Sequence, residues 1–254
     1  MGAVKQTLSL AVEQHARDRL ARESEAQLHG MWVVIPAYNE GKMVGEVVAN
    51  LVTLGLQVVV VDDGSADNTQ AVAKSAGAIV LRHVTNRGQG AALQTGIDFV
   101  LGQKASVVVT FDADGQHSAE DIPALVATVR DEGADVALGS RFLGKMHGAG
   151  LGRTIFLRLS TFVSNRLSGL PLTDSHCGIR AISASALRDL RITQDGMAHA
   201  SQLLYSIARH RLSWKEVPVT IRYTEYSRAK GQNVTQSLRI LFDYFFHRSR
   251  GGQP

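Results

Sequence analysis

The chain has 254 residues, 44% of them hydrophobic and 20% charged, with a formal net charge of +4, which is ordinary for a globular protein able to bury a full core. That charge is too small to argue for nucleic acid, and the longest apolar runs, Gln57 to Val61 and Ser106 to Thr110, are far too short to span a bilayer. Cys177 is the single cysteine and Met1 to Gln27 lacks an apolar signal core, so a reducing, cytoplasmic setting is expected. Residues 5–28 favour helix without a strong apolar stripe and read as a surface extension. From Met31 the pattern becomes β-α-β, with strands expected at 31–35, 57–62, 78–82, 106–112 and 135–139 and helices at 40–54, 66–76, 89–102 and 119–131. Short strands alternating with such helices imply crossover connections and a mostly parallel sheet. Beyond Arg141 the rhythm changes: a Gly-rich stretch, 144–152, reads as a mobile loop, followed by helices near 153–167 and 198–210 and a strand near 214–221. A polar loop, 222–232, leads to a last helix carrying Val234, Leu238, Leu241, Phe242 and Phe245. No linker divides the chain, so a single α/β domain is expected.

The strand ends hold the chemistry. Val107-Val108-Val109-Thr110-Phe111 is a β-branched run of the kind buried on both faces of a parallel sheet, and it ends in Asp112-Ala113-Asp114. Ionised Asp is rarely tolerated inside, so the pair belongs where the strand emerges, and open α/β sheets bind ligands at such ends. Two carboxylates there suit a hard divalent cation that also holds phosphates; the plain alternative is a turn with a solvated acid pair. Val58 to Val61 repeats the theme with Asp62-Asp63-Gly64-Ser65. Either acid can serve the turn, and a carboxylate left over can accept hydrogen bonds from ribose or a base. In Ile35-Pro36-Ala37-Tyr38-Asn39-Glu40 the strand is expected to break at Pro36, bringing Tyr38 and Glu40 to the sheet edge, or Asn39 simply caps the next helix. Asn86-Arg87-Gly88-Gln89-Gly90 opens a helix with two glycines, which suits an anion or a close backbone approach.

These segments occur in order with Asp112-Ala113-Asp114-Gly115-Gln116-His117 and Gly139-Ser140-Arg141-Phe142. Together they resemble family 2 glycosyltransferases of the GT-A fold, in particular the dolichol- and polyprenyl-phosphate mannose or glucose synthases. The resemblance runs from about Met31 to Phe246. It implies a nucleotide-sugar half at 31–140 and an acceptor half at 141–246, between an N-terminal extension, 1–30, and a tail, 247–254. It further implies that Pro36, Tyr38, Glu40, Asp62, Asp63 and Ala113 line the donor site. Asp112, Asp114 and Gln116 would bind Mg²⁺ or Mn²⁺ on the diphosphate of a UDP- or GDP-sugar, and Arg141 would contact phosphate. The expected reaction is metal-dependent, inverting transfer of a hexose to a polyprenyl or dolichyl phosphate; transfer to a saccharide hydroxyl is the alternative. A non-catalytic nucleotide-sugar binder is a more distant one, and a nucleotidylyltransferase would need a Gly-rich, basic loop where Pro36 to Glu40 stand.

The second half carries the cations. Arg153 and Arg158 lie where the family grips a lipid phosphate, and Asp174, near Cys177-Gly178-Ile179-Arg180, resembles the segment around the transferred sugar. Asp174 can bind a hydroxyl, act as a base or cap a turn. Gln202 stands where many relatives have an acid, which leaves no carboxylate base there and matters little if the acceptor is an ionised phosphate; His199 is a substitute by sequence. Lys230 matches the lysine of a late basic loop that closes over the donor, with Arg222 or Arg228 standing in for its usual arginine partner. The C-terminal run of aromatic residues and cations, Phe242 to Arg250, suits peripheral contact with the inner face of the membrane, or else packs on the sheet.

Overall fold

The computed structural model describes residues 30–224. The N-terminal extension, Arg228, Lys230, the last helix and the tail lie outside the described residues. Strands β1 (Met31–Ala37), β2 (Gln57–Asp62), β3 (Ile79–Arg82), β4 (Val107–Thr110), β5 (Val136–His147), β6 (Arg180–Ser183) and β7 (Trp214–Arg222) form one sheet. They alternate with helices α1 (Val44–Thr53), α2 (Thr69–Ser75), α3 (Gln89–Gly102), α4 (Ile122–Arg130), α5 (Leu151–Ser168) and α6 (His199–Arg209). The strand order is β3-β2-β1-β4-β6-β5-β7. All neighbours pair in parallel except β6, which runs antiparallel between β4 and β5.

Alternation along the strands splits the core into two layers. Val33 and Ile35 of β1 join Leu51 of α1 and Leu125 of α4 on one face. Trp32 and Val34 join Ile97 of α3 and Ile207 of α6 on the other. Burial on both faces explains why β2 and β4 read as unbroken apolar runs. The order reverses at β1, with β2 on one side and β4 on the other, so the chain opens a crevice at the C-terminal ends of these two strands.

Several expectations change. β1 does not break at Pro36, which pairs with Val61 of β2. Its pairing with β4 has already ended at Val34 and Thr110, so the missing proline N–H faces a side with no ladder to interrupt. α1 begins at Val44 rather than Glu40, and α2 at Thr69 rather than Ala66, because the intervening residues tie two loops together. Ser65 Oγ accepts from Asn39 N–H (2.9 Å), Asn39 Oδ1 accepts from Ala66 N–H (2.9 Å), and Asp67 accepts from Gly41 and Thr69 N–H (both 3.0 Å). Asn39 therefore joins loops instead of capping a helix.

The Gly-rich loop starts later than expected. β5 runs on to His147 through a bulge between Ser140 and Lys145, pairing with β7 as far as Arg222. Gly144 sits in that strand because any Cβ there would overlap the backbone of Val219; the glycine marks close strand approach, not a loop. β6 was not anticipated: four residues after a polar turn carry little periodicity, and their strand state comes from pairing with β4 and β5.

Candidate active site

The C-terminal ends of β1 and β4, together with β5 and α5, enclose a cavity of about 660 Å³. Pro36, Tyr38, Glu40, Asp63, Asp112, Ala113, Asp114, Gln116, Arg141 and Arg153, each expected from sequence, lie on its wall. Asp62, Asp174, Arg158 and Arg222 do not.

The acid pair emerges where β4 ends, as its sequence requires. Asp112 accepts from Gln89 Nε2 (3.2 Å) and contacts His117 Nε2 (2.9 Å). Burial alone would push its carboxyl up, but His117, with Arg180 and His199 further off, holds it below the ordinary value. Asp114 behaves in the opposite way. Burial and the neighbouring charge of Asp112 push it up to about 6, against the hydrogen bond from Gln116 N–H. Two carboxylates that resist joint ionisation form a site that a divalent cation would relieve. Among the described residues no third His, Cys, Asp or Glu completes a closed metal cage. That donor set fits a cation held by one or two carboxylates and finished by substrate phosphates. Asp112 and Asp114 are the residues that would hold it. Gln116 donates its amide N–H to Asp114 Oδ2 (2.6 Å) and so props that carboxylate, with its own amide oxygen not used in that bond.

The antiparallel strand β6 explains how the far wall reaches this pair. Thr110 Oγ1 donates to Gly178 O (2.8 Å), and Gly178 then lies so close to the Asp112 carboxylate that a Cβ would collide with it. Tertiary pairing, not local sequence, makes that glycine necessary.

Asp62 and Asp63 divide their work differently from the expected shared base and ribose site. Asp62 is fully buried away from the cavity, where it accepts from Ser65 N–H (2.9 Å) and faces Arg82 (3.4 Å). Asp63 reaches the cavity wall, yet accepts from Arg87 N–H (2.9 Å), Gly88 N–H (2.7 Å) and His83 Nδ1 (2.7 Å). Most of the amides at the start of α3 are likewise taken: those of Gly90 and Ala91 donate to Asp195 O (2.7 and 3.2 Å). The glycines there permit backbone packing against residues 194–196.

Across the cavity Arg141 is buried and paired. Its Nε donates to Asp174 Oδ2 (2.6 Å), its N–H to the same oxygen (3.1 Å), and its Nη1 to Tyr223 Oη (2.8 Å). Burial opposes the guanidinium charge, and Asp174 more than offsets it, so the group stays above its usual value and protonated. Asp174 thus stands behind Arg141 and off the cavity wall, which removes it from direct contact with a sugar. The two arginines that the sequence offers for the acceptor phosphate are separated. Arg153 lines the cavity with its guanidinium 4.5 Å from the Tyr223 ring centroid. Arg158 stacks outside on Phe142 at 4.9 Å. Arg222 is exposed, its N–H donating to Gln116 O (2.9 Å). Gln202 accepts from Thr193 and Gln194 N–H (both 3.0 Å) and clips that loop. Burial lowers His199 to about 4, leaving it neutral and unsuited to exchange protons with solvent.

His117, His176 and Gln89 are cavity residues to which the sequence assigned no role; His117 and Gln89 lie inside segments singled out for other members, and His176 falls between Asp174 and Cys177. His176 is the most informative. Its Nδ1 shares a hydrogen bond with Ser175 Oγ (2.7 Å), which is in turn 3.3 Å from Thr161 Oγ1. The ring remains accessible from the cavity, yet partial desolvation there, aided by Arg141 and Arg180, lowers its pKa against the pull of Asp174.

A parallel sheet reversed at β1, an acid pair at the end of β4 and a cation opposite define an α/β enzyme of the GT-A fold. A solved structure of glucosyl-3-phosphoglycerate synthase from Mycobacterium tuberculosis, in complex with Mn²⁺, UDP and glucosyl-3-phosphoglycerate, superposes with a TM-score of 0.65 at 22% identity, covering 87% of this chain and 82% of that one. The sequence profile described as Glycosyl transferase family 2 matches residues 32–191, and the chain belongs to that family of glycosyltransferases. It is 42% identical to an uncharacterised protein of Methanocaldococcus jannaschii over 84% of this chain and 89% of the relative. It is 32% identical to a UDP-N-acetylglucosamine–dolichyl-phosphate N-acetylglucosaminyltransferase of Methanococcus voltae over 84% of this chain and 93% of the relative.

Proposed function

We propose that this protein transfers a hexose from a UDP- or GDP-sugar to a polyprenyl phosphate, with inversion, using Mg²⁺ or Mn²⁺ at the cytoplasmic face of a membrane. One observation carries the reading: a mutually repelling acid pair and a buried, permanently charged guanidinium share one cavity. Tyr38 and Glu40, at the mouth beside β1, suit stacking on and hydrogen bonding to the base. Asp63 shapes that end by fixing the Arg87–Gly88 turn. A cation on Asp112 and Asp114, when bound, would neutralise charge on the departing diphosphate. Arg141 is fixed by Asp174 and Tyr223, so it meets phosphate charge without having to reorganise. Arg153, on the α5 side, is placed for the acceptor phosphate. That acceptor arrives ionised and needs no base, in keeping with the absence of a carboxylate at Gln202. The name of the Methanococcus voltae relative supports a dolichyl-phosphate acceptor.

His176 favours a second reading, transfer to a saccharide hydroxyl, because its imidazole, held at Nδ1 by Ser175 Oγ (2.7 Å), is a candidate base on the cavity wall. A panel of UDP- and GDP-sugars with Mn²⁺ and a short-chain polyprenyl phosphate, read by nucleotide release, separates the two. Release only when an oligosaccharide replaces the lipid would overturn the first.

A further inference from the structure

Helix α5 is built inside out. Its buried positions are Leu157, Ser160, Thr161 and Ser164, three of them hydroxylated. Its outer face carries Leu151, Ile155, Leu159 and Phe162, which are 84%, 67%, 60% and 56% exposed. Their spacing of four, four and three residues lines them up on one side of the helix. A surface helix normally does the reverse, and a contiguous apolar face of this kind marks something it binds. The polar inner side is explained, since Arg153 and Ser160 face the cavity. The apolar outer side stays open to solvent among the described residues.

The charge around the stripe says what covers it. From Val136 to Thr173 there is no Asp or Glu, while Arg141, Lys145, Arg153, Arg158 and Arg166 all fall in that stretch. Arg166 lies over the ring of Phe162 at 5.1 Å and Arg158 over that of Phe142, so cations border the apolar face directly. Leu143, 48% exposed on β5, extends the patch. An acid-free, cation-bordered apolar stripe is complementary to an anionic lipid surface, where side chains enter the acyl boundary and arginines meet headgroups. It does not suit the chain's own C-terminal segment, which is itself rich in Arg and Lys.

We propose that the outer face of α5 docks this protein on the anionic leaflet of a membrane, which sets the cavity lined by the inner face of the same helix at the lipid surface. The membrane contact expected from the C-terminal helix is thereby given a second, independent seat. The proposal deepens the lipid-phosphate reading and rests on it for the acceptor, while docking itself is measured without acceptor so that the two can fail separately.

The test is sedimentation of the full-length protein with vesicles of phosphatidylcholine alone or with about 30% phosphatidylglycerol. The expected result is at least roughly tenfold tighter binding to the anionic vesicles, weakening with salt. Replacing Ile155→Gln and Leu159→Gln together should reduce it at least about tenfold, with turnover of a water-soluble short-chain polyprenyl phosphate unchanged. Equal vesicle binding by the wild type and this variant overturns the proposal, as does no binding by either. A polarity-sensitive fluorophore on Ile155→Cys, which the buried native Cys177 does not compete for, should shift to the blue only when anionic vesicles are added. A probe already shielded without lipid, and indifferent to vesicles, would mean that another segment or a second copy covers α5, and would overturn it too. Intact docking with no use of any lipid phosphate would support the docking face and overturn the acceptor reading alone.

Discussion

The two halves of this molecule use charge in opposite ways. In the donor half, acids stand at the ends of buried parallel strands, and their place in the chain nearly dictates their place in space. Asp63, Asp112 and Asp114 reach one crevice because β1, β2 and β4 end on the same side of the sheet. In the acceptor half, cations are spread along a bent strand and one helix, and the fold sends them to different fates. Arg141 is buried, Arg153 lines the cavity, and Arg158 and Arg166 face outward beside apolar rings. A cluster of like charges in sequence therefore says little about a shared site, whereas acids at successive strand ends say a great deal.

Mutations can break that contrast, beginning where the effect should be largest. Asp114→Asn should lower turnover by roughly a thousandfold or more, through loss of charge stabilisation at the leaving group. It should also abolish the rise in melting temperature that Mn²⁺ gives the wild type. Because the Asp112–Asp114 pair is repulsive, the metal-free variant should melt no lower than the wild type; near-normal turnover would sink the metal assignment.

On the other side of the cavity, Arg141→Lys should cost on the order of a hundredfold in kcat, since an ammonium cannot hold Asp174, Tyr223 and a phosphate at once. Asp174→Ala should instead act on stability, by about 3–5 kcal/mol, because it strands a buried guanidinium. If denaturant unfolding shows Asp174→Ala as stable as wild type, Asp174 is not the anchor of Arg141.

His199 offers a pH test of the interior. Its folded value, about 4, lies below the unfolded 6.5, so the unfolded chain binds more protons between these values. Stability is then fully present above about pH 6.5 and is lost as pH falls toward 4, by up to roughly 3 kcal/mol from this group. Unfolding curves of His199→Gln should show a shallower acid loss; an identical slope would remove His199 as its source.

The smallest effect separates the two arginines of α5. Arg153→Ala should raise the acceptor KM about tenfold, while Arg158→Ala should change it less than about twofold, both measured with a soluble acceptor. Equal effects would mean that exposure on α5 does not distinguish them.

Much of the donor side was legible because periodicity and strand ends are local signals. The mostly parallel sheet, the crevice and the acid pair follow from apolar runs that stop at Asp. Less was legible beyond Arg141. Gly144 looked like a loop residue because glycine records only that something lies close or a turn is needed, and the something here is the Val219 backbone, remote in sequence. Asp62 and Asp63 look equivalent as neighbours, yet Asp62 is the last residue of β2 and Asp63 the first beyond it, so one serves the turn and the other the cavity wall.

The sequence by itself determined the order of elements as far as the start of β5, the family and the acids at the end of β4, since these depend on neighbours a few residues apart. Only the tertiary structure decided that Asp174 serves Arg141, that Gly178 must be bare beside Asp112, that His176 reaches the cavity, and that α5 turns its apolar side outward. Each of those depends on which strand β6 pairs with and how α5 lies over the cavity, contacts between residues that the chain keeps far apart.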